Sequence, residues 1–185
     1  MCTRLFMKRS KLLTTRELAI FATFGAMMFL SRMAMLAVPN VHLLAMFIAS
    51  FTLVYRTKAL IPIYVWVLIE GMAGGFPLWL VPYLYIWLPL WGAFMILGKF
   101  NIPNKVRVPL YMVICAFHGL TFDVMYSPWG MHLMGIPMTF EAWWTYLVAG
   151  LWWSITHAVG NFAAATLIIP LVTLIKKLDR KEYKA

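Results

Sequence analysis

Fifteen of the 16 Lys and Arg residues fall into four clusters, and long apolar runs separate the clusters. Arg4, Lys8, Arg9, Lys11 and Arg16 open the chain. Arg56 with Lys58, then Lys99 with Lys105 and Arg107, interrupt it, and Lys176, Lys177, Arg180, Lys181 and Lys184 close it. Only Arg32 stands apart. Each run between clusters is about 40 residues or longer, enough to cross a bilayer twice. Basic residues gather on the cytoplasmic side of a membrane protein. The pattern predicts an all-α integral membrane chain: a compact six-helix transmembrane bundle built from three hairpins, with both termini cytoplasmic.

Composition agrees. Hydrophobic residues make up 63% of the 185 and charged residues 12%, more apolar surface than a soluble domain of this length can hide. In a soluble protein the formal charge of +10 would point to nucleic acid. Here the cations flank membrane spans, so they are assigned to topology and anionic lipid headgroups, with no nucleic-acid partner expected. Residues 1–185 then form one transmembrane domain with no room for a soluble one. Cys2 and Cys115 make no metal-binding spacing, and they lie at different depths in this topology, which argues against a disulfide. The first apolar stretch follows a basic segment as in a signal peptide. It lacks a small-residue cleavage site, so it reads as a retained span.

The spans are placed at Glu17–Leu36, Val41–Tyr55, Ala59–Gly74, Trp79–Leu97, Val108–Tyr126 and Ala142–Ile175. The second is short for a crossing, and the sixth is long enough to protrude. Pro39-Asn40 and Gly74-Gly75-Phe76-Pro77 make outer turns. The longest outer connection, Ser127–Glu141, contains Pro128, Trp129, Gly130, His132, Gly135 and Pro137 and is expected to be a functional loop or lid.

Polar groups collect on one side. Arg32, Glu70, Asp123 and His157 map to the outer half of the bundle, with Asn40, His42, His132 and Glu141 at the outer surface. Tyr83, Tyr85, Trp129, Trp143, Trp144, Trp152 and Trp153 sit at similar depth, while the cytoplasmic half is nearly all aliphatic. An ionisable group in a bilayer costs roughly 2.5–3.5 kcal/mol. Concentrating that cost on one side points to an outward-facing cavity. Arg32 lies where a long side chain can snorkel. Glu70 and Asp123 either line a site or pair with Arg32 as a structural bridge. Trp143 and Trp144 either anchor a helix start or touch ligand. His118 reads as a hydrogen-bonded core histidine. Trp153, His157 and Asn161 recur at steps of four, which places them on one bundle-facing stripe.

Ala22-Thr23-Phe24-Gly25-Ala26 forms an AxxxA pattern with Ala19 close to the same face, and small residues let another helix approach. Gly71 and Gly75 form a GxxxG that runs off a helix end. There is no HExxH, GxSxG or P-loop, and His42, His118, His132 and His157 have no metal-ligand spacing. No catalytic residues, intrinsic cofactor or metal are expected.

The architecture, the Ala22/Ala26 motif, and the segments Pro39-Asn40-Val41-His42-Leu43 and His157-Ala158-Val159-Gly160-Asn161-Phe162 resemble the substrate-binding S components of energy-coupling factor (ECF) transporters, which are ABC-type vitamin importers. The resemblance covers essentially the whole chain. It implies a non-enzymatic membrane protein that captures a vitamin or related micronutrient from outside. It implies partners too: a membrane coupling (T) subunit docked on the Ala19/Ala22/Ala26 face, and two cytoplasmic ATPases. The setting it implies is a bacterial plasma membrane. The candidate ligand residues are Arg32, His42, Glu70, Tyr83, Asp123, Trp129, Trp153, His157 and Asn161. The chain begins Met1-Cys2-Thr3 and lacks the Met-His start of the nickel and cobalt branch. Its aromatic wealth suits a ring-bearing vitamin, with a corrinoid first because a histidine near the cavity could meet its cobalt. The competing expectations are a small membrane enzyme using Glu70, Asp123 and His157, and a purely structural membrane subunit.

Overall fold

The computed structural model describes residues 13–38 and 40–182, without the side chains of Asn104, Arg180, Lys181 and Glu182. Cys2, Arg4, Lys8, Arg9, Lys11, Pro39 and Lys184 therefore lie outside the described residues. Every regular element among those described is helical. Five stretches are long and apolar enough to cross a membrane: Thr15–Ala34, Leu44–Gly74, Leu78–Leu97, Lys105–Leu133 and Phe140–Asp179. The chain is an all-helical, multi-pass membrane protein.

Helix α1, Thr15–Ala34, opens on a capping box. The Thr14 hydroxyl accepts from the Glu17 amide at 3.1 Å, and the Glu17 carboxylate accepts from the Thr14 amide at 3.0 Å. Two orphan backbone donors are thereby satisfied. Helix α2, Leu44–Tyr55, carries no charge and is buried continuously from Leu44 to Thr52. A helix apolar all round belongs in the centre of a bundle, and α2 packs on α1, α4, α7 and α8, the last two being helices from the chain's far end.

The Leu44–Gly74 stretch is not one rod. Arg56 adopts φ 57°, the chain makes a 3-10 turn over Arg56–Ala59, and α3, Leu60–Gly74, runs back. The contacts prove the reversal. Tyr55 meets Phe21 and Lys58 meets Glu17 at one end of α1, whereas Glu70 meets Arg32 at the other. A Cβ at Gly25 would sit 2.4 Å from Val65 Cγ1, so α1 and α3 approach at a point that only glycine allows.

The fourth expected span is half irregular. Leu78–Leu84 is 3-10 helix, and only Trp87–Leu97, helix α4, is α-helical. Pro82 inside the first part lacks the amide that α-helical bonding needs. The fifth is longer than expected. Helix α5, Asn104–Leu120, continues after Thr121 as α6, Phe122–Leu133. The expected long outer loop over Ser127–Glu141 is therefore wrong: its first half is helix, and the connection shrinks to residues 134–139. Pro128 and Gly130 look like breakers, yet a membrane-spanning helix tolerates them when neighbours re-satisfy the backbone. Gly130 lets α6 close on Tyr146, whose hydroxyl would lie 2.5 Å from a Cβ there. Helix α7, Phe140–Ala164, is capped by Thr139, whose hydroxyl accepts from the Ala142 amide at 3.2 Å. A 3-10 turn at Ala165–Leu167 joins it to α8, Ile168–Glu182, so the sixth expected span is two helices rather than one.

Candidate functional site

The bundle has two unlike ends. At the basic end charges neutralise each other across helices. Glu17 pairs with Lys58, and Asp179 receives Arg16 at 3.5 Å and the Tyr55 hydroxyl at 3.1 Å. The Arg56 guanidinium donates to the Met95 carbonyl, and the Trp91 indole donates to the Arg56 carbonyl at 3.3 Å. These contacts tie α1, α2, the Arg56–Ala59 turn, α4 and α8 together at one level.

The opposite end holds a chain of seven rings, each from a different segment. Trp66 of α3 stacks on Tyr83 at 5.5 Å and meets Trp87 edge-on at 5.3 Å. Trp87 contacts His118 at 5.7 Å and Phe122 at 5.8 Å. Phe122 touches His157 at 4.9 Å, and His157 meets His42 edge-on at 4.6 Å. Such ring pairs add about 0.5–1.5 kcal/mol each beyond the area they bury.

Polar atoms in this cluster are unevenly satisfied. Arg32 donates to one oxygen of Glu70. His118 Nε2 lies 3.0 Å from the Ile86 carbonyl, so that nitrogen carries the proton and Nδ1 is left as an acceptor. Asn161 donates to the Cys115 carbonyl at 3.2 Å. The second Glu70 oxygen, His42 Nδ1, His118 Nδ1, His157 Nε2, Asn161 Oδ1 and the indole nitrogens of Trp66 and Trp87 are buried without a hydrogen-bond partner, as are Ser50 Oγ on α2 and Arg56 Nη1 at the basic end. Each such group costs about 1–3 kcal/mol. Seven of these nine atoms, among the described residues, lie on ring-chain residues or one helical turn from them.

Above the cluster lies a groove of about 560 Å³ lined by Asn40, Asp123, Met134, Tyr146, Gly150 and Trp153. Asp123 follows Phe122, Trp153 stands one turn from His157, and Asn40 lies two residues before His42, so groove and cluster share the same segments. Asn40, at φ 56°, donates to the Trp153 carbonyl at 3.3 Å and pins the α1–α2 connection across α7.

The expected site residues divide accordingly. Arg32, Glu70, Tyr83, His42, His157 and Asn161 belong to the cluster; Asp123 and Trp153 belong to the groove. Four expectations need correction. Arg32 does not simply snorkel, because its guanidinium turns to Glu70. Asp123 does not pair with Arg32; it accepts from the Ser154 hydroxyl instead. Trp153 does not share the buried stripe of His157 and Asn161, for it is 47% exposed. A step of four overshoots the helical turn by about 40°, which carries Trp153 outward. Trp129, expected on a lid, sits in α6 and donates to the Leu78 carbonyl at 2.7 Å, tying two elements together. Trp143 donates to the Ser127 hydroxyl at 2.9 Å. His132 and Glu141 are exposed. His118 is the bonded core histidine that was expected, but it also belongs to the ring chain.

Trp66, Phe122, Ser154 and Tyr146 were missed. Trp66 precedes Glu70 by four residues, and that spacing was the available signal. On α1, Gly25 faces inward, while Ala19 and Ala22 are exposed and Ala26 is half-buried. Ala19 borders a second groove, about 490 Å³, between α1 and α8. Among the described residues no group of three or more His, Cys, Asp and Glu could hold a metal ion. Compared with protein-family models, curated proteins and solved structures, the chain matches none.

Proposed function

We propose that this chain is the substrate-capture (S) component of an ECF-type importer, binding a ring-bearing micronutrient at its polar end. In this reading the fold-back at Arg56 makes six crossings from five long stretches, and the basic end faces the cytoplasm under the positive-inside rule. The polar end then faces outward in a bacterial plasma membrane. The observation that carries the proposal is the set of buried, unpartnered donors and acceptors gathered around stacked rings beneath a groove. Apolar walls with a few oriented polar groups are what a small-molecule site requires. A structural subunit would gain nothing from leaving them unsatisfied. The outward alanines on α1 offer a smooth face for a coupling subunit, which two ATPases would drive.

The test is native mass spectrometry of protein purified from cells grown in rich medium. The expected result is a stoichiometric small molecule, released unchanged and not turned over during incubation. The panel of candidate ligands includes corrinoids. A protein that carries no molecule and gains no thermal stability from any vitamin would contradict the proposal. Conversion of an added ligand without any ATPase would move the chain to the enzyme class.

A further inference from the structure

Glu17, Glu70 and Asp179 each sit against a cation. Asp123 does not: among the described residues its polar partner is the Ser154 hydroxyl, a neutral donor. Its carboxyl group borders the groove, and the side chain around it is only half-buried. Gly150 keeps the approach open, since even a Cβ there would lie 3.5 Å from the carboxylate oxygen. The exposed indole of Trp153 and the ring of Tyr146 stand on the same rim, and Asn40 adds a side-chain amide.

A carboxylate without a counter-charge, lining one groove with two aromatic side chains, has the composition of a site for an organic cation. The carboxylate supplies the charge, and the ring quadrupoles supply cation–π attraction. A neutral ligand would use the rings and leave the acid unanswered. An anionic ligand would meet repulsion. The cost of an unpaired ionisable group within a membrane-spanning helix makes a functional role the default for Asp123.

We infer that the groove at Asp123, Tyr146 and Trp153 selects a ligand carrying a positively charged nitrogen, either a protonated amine or a quaternary ring nitrogen. This rests on the capture reading and narrows its substrate class. The charged nitrogen sits over Asp123, and the rest of the ligand reaches toward the ring chain.

The experiment measures binding by thermal shift and calorimetry with two matched pairs: pyridoxamine against pyridoxine, and 1-methylnicotinamide against nicotinamide. Each pair keeps the ring and changes the charge. The full-length protein should prefer the cation by roughly tenfold or more in at least one pair, the scale of one charge-assisted contact with a cation–π component. D123N should abolish the preference, while Lys58→Met, at the basic end and away from the groove, should retain it. Trp153→Leu alters an exposed ring and should fold normally; it should reduce the preference several-fold. Equal binding of both members of each pair, or a preference that survives D123N, overturns the inference. So does the absence of binding by either cation. If pyridoxine or nicotinamide stabilises the protein and D123N alike, the capture proposal stands and only the cation selectivity falls.

Discussion

The two ends of the bundle solve the same electrostatic problem in opposite ways. At the basic end, charges from helices far apart in sequence meet one another: Glu17 with Lys58, Arg16 with Asp179. At the polar end, among the described residues, only Arg32 and Glu70 do so, while Asp123 has a neutral partner and several ring nitrogens and oxygens keep unused hydrogen-bonding capacity; at the basic end one Arg56 nitrogen does too. Stability alone would favour the first arrangement everywhere. In the proposed reading, one end closes the bundle and the other holds a ligand.

Substitutions at the two ends should therefore differ in effect. The largest effect is expected where helices touch through glycine. Gly119→Leu would drive a side chain into the backbone of Ala158, which lies 2.9 Å from an ideal Cβ at that position. We expect no monodisperse protein in detergent by size-exclusion chromatography, because backbone cannot yield as a side-chain tip can. Next comes Trp66→Ala at the root of the ring chain, expected to cost about 3–5 kcal/mol in stability and to weaken ligand binding with it. A Trp66 variant that unfolds early yet binds normally would remove the ring chain from the site. Glu70→Gln should be smaller. It leaves Arg32 without its carboxylate partner and should cost about 1–3 kcal/mol, read as a lower melting temperature together with weaker ligand binding. A change in melting alone would make Glu70 a structural partner only. The smallest effect is expected at the basic end. Lys58→Met breaks a partly exposed pair and should change stability by less than about 1 kcal/mol, with ligand affinity unchanged.

How much of this was legible beforehand depends on which physical rule governs each element. Helix class and the rough placing of spans follow from charge clusters and apolar runs, and the ends of α2 and α3 fell close to their expected positions. The α6 helix was hidden because Pro128, Gly130 and Gly135 carry the composition of a loop. Only the packing of Gly130 against Tyr146 and the Trp143–Ser127 bond explain why the chain stays helical to Leu133. One-sided polarity was legible from Arg32, Glu70, Asp123 and His157. Their partners were not, because pairing depends on the register between helices. Ser154 meets Asp123 across 31 residues of sequence, and nothing local announces that contact. Trp153 was misplaced by reading steps of four as an exact repeat.

In the proposed orientation the polar end faces outward and the basic end faces the cytoplasm. Sided labelling tests it most directly. Cysteines placed singly at Met138, in the connection before α7, and at Lys105, at the start of α5, are exposed positions at opposite ends. In intact cells, with Cys2 replaced by serine, a membrane-impermeant maleimide should label the Met138 variant at once. The Lys105 variant should react only after permeabilisation. Labelling of both from the same side, or of Lys105 alone in intact cells, would contradict the account.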